Sequence, residues 1–139
     1  MSNINQSASD QSWSVRNAFN LSEGDRWDRE PILAVTMALC LENQEIAVLR
    51  SPPRATPGQI WETTPMGAKS MDAKALMFVD PVTGQWSVTR QGVEVLALRQ
   101  RLDEEAEVTD ALPTWALRDQ RRCQIAMDVR AWLATRTVQ

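Results

Sequence analysis

Ten consecutive residues, 32–41 (Ile-Leu-Ala-Val-Thr-Met-Ala-Leu-Cys-Leu), include a single polar side chain, Thr36. A helix this apolar has almost no face to offer water, so the rest of the chain has to cover it. It therefore reads as the most buried helix of the protein. Asp28 is placed to cap it, with Glu30 and Pro31 in its first turn. The pattern carries the helix to about residue 43 or a turn beyond. Residues 46–49 (Ile-Ala-Val-Leu) fit either a short strand or the end of that helix. At 139 residues the chain supplies one core and little more.

The segments around this helix are set by punctuation. Residues 1–12 are polar and rich in Ser and Asn, and they read as a flexible tail. Trp13, Val15, Phe19 and Leu21 suggest a short element docked on the core of a single domain, 13–139. Pro52 and Pro53 break any helix. Thr56-Pro57 and Thr64-Pro65 are opening signals for two short helices, the second covering about 66–75. Residues 76–79 read as a strand, 80–84 (Asp-Pro-Val-Thr-Gly) as a turn, and 85–89 as the returning strand of a hairpin. Val95, Leu98 and Leu102 then recur at helical spacing from a start near Arg90. After a break at 111–114, Thr114 caps a last helix of about 114–135. Ile125, Val129, Trp132 and Leu133 form its apolar stripe. The expected class is mainly α with a small β-hairpin (α+β).

What the chain lacks narrows its chemistry. It has no His and no Tyr, so it has no Ser-His or Cys-His nucleophile pair and no histidine metal centre. It has no phosphate-binding G-x-x-x-x-G-K-(S/T) loop and no G-x-G-x-x-G. The acids at 103–107 end a helix and read as a solvated face rather than a catalytic pair. These absences predict no enzyme, no catalytic residue, no metal and no cofactor. Cys40 and Cys123 lie in apolar helical surroundings and read as reduced core thiols. The N-terminus has no secretory pattern, and the longest apolar run is about half of the roughly 20 residues of a membrane helix. A cytoplasmic protein without a membrane partner is expected. The six Trp residues read as core and interface anchors.

The sharpest local signal is residues 86–96, Trp-Ser-Val-Thr-Arg-Gln-Gly-Val-Glu-Val-Leu. Thr89 caps the outgoing helix, Gly92 lets that helix start close against the sheet, and Leu96 fills the core. The segment resembles the W-x-(L/V)-T-x-x-G-x-x-x-L pattern that ends the wing in many winged-helix regulators and in the N-terminal modules of some restriction-type nucleases. The order helix, short helix, second helix, hairpin, helix matches the same family over about half of the chain. The resemblance implies a winged helix-turn-helix-like core at about 31–104 plus an additional C-terminal helix. It further implies that Lys69, Ser70 and Lys74 on the second helix face a double-stranded DNA groove, while Arg54 and Arg90 meet phosphates. Such regulators often pair through an added helix, which makes Ile125, Val129, Trp132 and Leu133 a homodimer interface.

Charge pulls partly the other way. The net charge is −3, yet residues 50–92 sum to +2, 93–112 to −4 and 113–139 to +3. The segment 65–75 has no Arg, Asn or Gln, the usual base-reading residues. Two readings follow. One is a small dimeric transcriptional regulator that binds DNA without catalysis. The other is a phage- or plasmid-encoded interaction protein that binds and inhibits a host protein complex and leaves DNA alone.

Overall fold

A computed structural model describes residues 31–136. The expected tail at 1–12, the docking element at 13–21 and the Asp28 cap lie outside these residues. The described chain is mainly helical with one two-stranded antiparallel sheet. Its elements are α1 (Pro31–Leu39), α2 (Asn43–Arg50), α3 (Ile60–Thr63), α4 (Met66–Ala73), β1 (Met77–Val79), β2 (Trp86–Val88), α5 (Arg90–Glu104), α6 (Ala106–Asp110) and α7 (Trp115–Arg136).

The apolar run is indeed helical and buried: Ala34, Val35, Met37 and Ala38 are covered by α5 and α7. It ends earlier than its pattern suggests. The chain bends by 107° between α1 and α2, and residues 46–49 belong to a separate helix. The bend is held from outside the segment. Arg99 Nη1 of α5 donates to the carbonyls of Ala38 at 3.2 Å and Leu41 at 2.8 Å, which supplies partners to orphan carbonyls at the helix end. Cys40 is left exposed at this corner and Cys123 is half-buried; both are free. The expectation of core thiols is therefore corrected for Cys40, because the helix ends before it can turn that residue inward.

The hairpin forms where the turn signals place it, with Met77 opposite Val88, Phe78 opposite Ser87 and Val79 opposite Trp86. On its other side β2 is flanked by residues 53–55: Trp86 N–H donates to Pro53 O (3.1 Å) and Ala55 N–H to Gly84 O (2.7 Å), bridging Arg54 to Gln85. Gly84 has φ +78, and a Cβ there would sit 1.9 Å from Ala55 O, so only glycine fits the turn.

The junction after β2 follows the sequence reading closely. Thr89 is the N-cap of α5 and its hydroxyl accepts from Gly92 N–H at 3.0 Å. A Cβ on Gly92 would meet Leu76 O at 2.2 Å, so glycine is what allows α5 to start against the sheet. Val95, Leu98 and Leu102 are buried, and Leu96 packs half-buried at the core edge. Thr114 accepts from Leu117 N–H at 3.2 Å and opens α7. That helix lies against α1 and α5, closing a three-helix core beside the hairpin.

Candidate binding interface

The face that the resemblance assigns to DNA is built by α4, the hairpin and the start of α5. On α4, Gly67, Ala68 and Met71 are buried against the core, and Met66, Asp72 and Ala73 point outward. Lys69, Ser70 and Lys74 lie between these faces, half-buried. Ser70 and Lys74 are not free to reach outward. Both hydrogen-bond the Oε2 of Glu45 on α2, Lys74 at 3.2 Å. Glu45 Oε1 accepts Glu42 N–H at 2.9 Å, so the carboxylate is satisfied on both oxygens. Burial works to raise its pKa, but the Ser70 hydroxyl, the Glu42 amide and the Lys74 ammonium outweigh burial and hold it below the ordinary value.

Arg50, Arg54 and Arg90 are exposed and Lys69 is half-exposed, and none of the four has an ion-pair partner among the described residues. Glu62, Asp72 and Asp80 are exposed acids in the same part of the chain. Large apolar side chains stand out beside them: Trp61, Met66, Phe78 and Val82 are each half or more exposed. A groove of about 470 Å³ runs between Asp72 and Ala75 on one side and Thr89, Arg90 and Gln91 on the other, with Met77 and Phe78 along it.

The expected dimer stripe is placed differently from the expectation. Ile125, Val129 and Leu133 are buried in the chain's own core, at 0%, 2% and 3% exposure. They cover α1 and α5, whose apolar surface needs that helix. Trp132, at the edge of the stripe, remains 45% exposed, with the Arg136 guanidinium 4.7 Å from its ring centroid. With Val129, Ala97, Gln100, Arg101 and Glu104, Trp132 lines a second groove of about 280 Å³.

Several charges of α5, of the corner between α5 and α6, and of α7 are paired with one another. Glu105 pairs with both Arg101 and Arg121, Asp103 with Arg99 at 3.1 Å, and Asp110 with Arg122 at 2.8 Å. Glu94, nearly buried, pairs with Arg130 at 2.6 Å. Glu94, Glu105 and Asp110 are thus the acids that meet Arg residues of α7, at Arg130, Arg121 and Arg122, while Asp103 pairs within α5. Of the four described Trp residues, Trp86 is core and donates to the Thr64 hydroxyl at 3.1 Å, while Trp61 meets its ring edge-on at 6.0 Å. Trp115 is 73% exposed.

Glu45 is the residue of this candidate face that sequence reasoning missed. Its only sequence mark is the spacing to Glu42, which says nothing of α4. Among the described residues no group of three His, Cys, Asp or Glu side chains is arranged to hold a metal ion, and no single helix is long and apolar enough to cross a membrane. No family model, no curated protein and no solved structure matches the chain.

Proposed function

We propose that this chain is a non-enzymatic binding protein built on the winged-helix plan, and that the α4–hairpin face docks on a protein surface. The plan is supported by the order of elements, the Thr89–Gly92 junction, and the flanking of β2 by residues 53–55 on one side and β1 on the other. One observation carries the choice of partner. Glu45 holds Ser70 and Lys74, so the outward side of α4 offers Met66, Lys69, Asp72 and Ala73. Groove reading relies mostly on Arg, Asn and Gln, and the outward side of this helix carries none of them, only Lys69 and Asp72 as polar groups. Exposed apolar side chains interspersed with a few charges of both signs are the makings of a protein interface.

A DNA-binding regulator is the second reading, favoured by Arg50, Arg54, Lys69 and Arg90, which have no ion pair among the described residues. The two are separated by fluorescence anisotropy of a labelled random duplex at low and at physiological salt, with the double variant Lys69→Ala/Arg54→Ala alongside. Docking on protein predicts no binding beyond a weak association that salt removes. Affinity that persists at physiological salt and drops with the double variant would sink the protein reading. A partner captured from extract by the native chain and lost with Met66→Asp would support it.

A further inference from the structure

We infer that the groove between α4 and the start of α5 seats a short peptide segment of a partner protein, one in which a large apolar side chain is flanked by a basic and an acidic residue. This rests on the reading of the α4–hairpin face as a protein-docking surface, and it names what that surface takes. The groove holds about 470 Å³ and its lining is mostly apolar. That is room for one large side chain and its neighbours. Phe78 lies along it, 50% exposed, so it has apolar surface left to cover, and Ala75 is half-buried beside it.

The walls are fixed to each other before any partner arrives. Thr89 N–H donates to Leu76 O at 3.0 Å and the Thr89 hydroxyl to Ala75 O at 2.9 Å. These bonds tie the cap of α5 to the residues that close α4. Behind them, a Cβ on Gly92 would sit 2.2 Å from Leu76 O, so α5 starts as close to this backbone as a glycine allows. A groove held in this way needs little ordering when it is filled.

The charges on the walls select the occupant. Asp72 stands on the α4 side and Arg90 on the α5 side. Both are exposed, and neither has an ion-pair partner among the described residues. A nucleic-acid backbone or a purely acidic peptide would meet Asp72 as a like charge, and a purely basic peptide would meet Arg90. A segment with one group of each sign satisfies both walls, and the apolar side chain between them covers Phe78. An apolar centre with charges at its rim is the anatomy of a compact docking site.

The test is selection of a phage-displayed library of random short peptides on the full chain, followed by fluorescence anisotropy of the enriched peptides, synthesised with a label. Those peptides are expected to share an apolar residue between a basic and an acidic one. Phe78→Lys is expected to weaken their binding about tenfold or more. Repeating the selection on Arg90→Glu should remove the acid from the shared pattern, and on Asp72→Lys the base. Both substitutions suit the helix ends they occupy, an acid in the first turn of α5 and a base in the last turn of α4, so lost binding is not lost folding. No enrichment, or a shared pattern without the two charges, overturns the inference. Peptides that bind Phe78→Lys as tightly as the native chain but are lost with Met66→Asp overturn the groove and leave protein docking by the face intact. The duplex titration tests that wider reading separately.

Discussion

Lys74 at the end of α4 donates to Glu45 of α2 across 3.2 Å, closing a contact between residues 29 apart in sequence. Glu45 is 3% exposed and Lys74 about one-fifth exposed at the side chain. A carboxylate so covered is tolerated because its oxygens accept from the Ser70 hydroxyl, the Glu42 amide and the ammonium together. The cluster ties α2 to α4 and sets the angle at which α4 is presented.

Glu45→Gln is expected to lower stability by about 1–3 kcal/mol at neutral pH, because the charge-assisted bonds to Ser70 and Lys74 are lost inside a covered site. The same substitution should change the acid limb. In the folded chain this carboxyl is held below its ordinary value, so the unfolded chain takes up the proton first. Its contribution is full above about pH 4.3 and is lost as pH falls through the lower folded value. Urea unfolding at a series of acidic pH values should show the steep native loss flattened in Glu45→Gln. An unchanged slope would rule Glu45 out as its source.

Arg99 is expected to govern the α1–α2 corner. Arg99→Ala removes two hydrogen bonds to the carbonyls of Ala38 and Leu41 and a positive charge at a helix C-terminus. A loss of about 1–3 kcal/mol is expected, with amide exchange rising first in residues 38–42. Arg99→Lys should recover less than half, since one ammonium cannot reproduce the planar fork that also holds Asp103.

Ala75 closes α4 with φ +62, a conformation that L side chains rarely adopt. Its carbonyl accepts from the Thr89 hydroxyl at 2.9 Å, and Leu76 N–H reaches back to Met71 O at 2.8 Å, a glycine-type helix end without the glycine. Ala75→Gly should therefore stabilise the chain by roughly 0.5–1 kcal/mol despite glycine's freer unfolded state. A fall in thermal midpoint would contradict the strain.

The two thiols should react in order. Cys40 is exposed, while Cys123 is half-buried and its pKa is raised, first by burial and then by the Asp119 carboxylate. Titration with a chromogenic disulfide at mildly alkaline pH should label Cys40 in a fast phase and Cys123 in a slow one. Removing the fast phase with Cys40→Ser assigns it.

Much of the fold is legible along the chain where the cause is local. Thr89 and Thr114 are readable because a cap depends on residues within a turn of each other. The hairpin is readable from Asp80-Pro81 and Gly84. The break after α1 is not, because apolar residues continue through it and the partner that closes the helix end, Arg99, lies some 58 residues on. The α7 stripe reads equally as core or as interface, since periodicity reports an apolar face without naming what covers it.

The candidate site shows the same division. That Lys69, Ser70 and Lys74 share one short helix beside a wing-like hairpin follows from the order of residues alone. Which of them stays available was decided by α2, whose buried Glu45 takes up Ser70 and Lys74; Arg121 and Arg130 of α7 are likewise taken up by Glu105 and Glu94. Sequence determined the hairpin turn and the Thr89 and Thr114 caps, because those rest on contacts within a turn. Tertiary structure decided which charges and apolar faces remain for a partner, because a buried charge needs a counter-charge and an apolar face needs cover, and both came from distant segments.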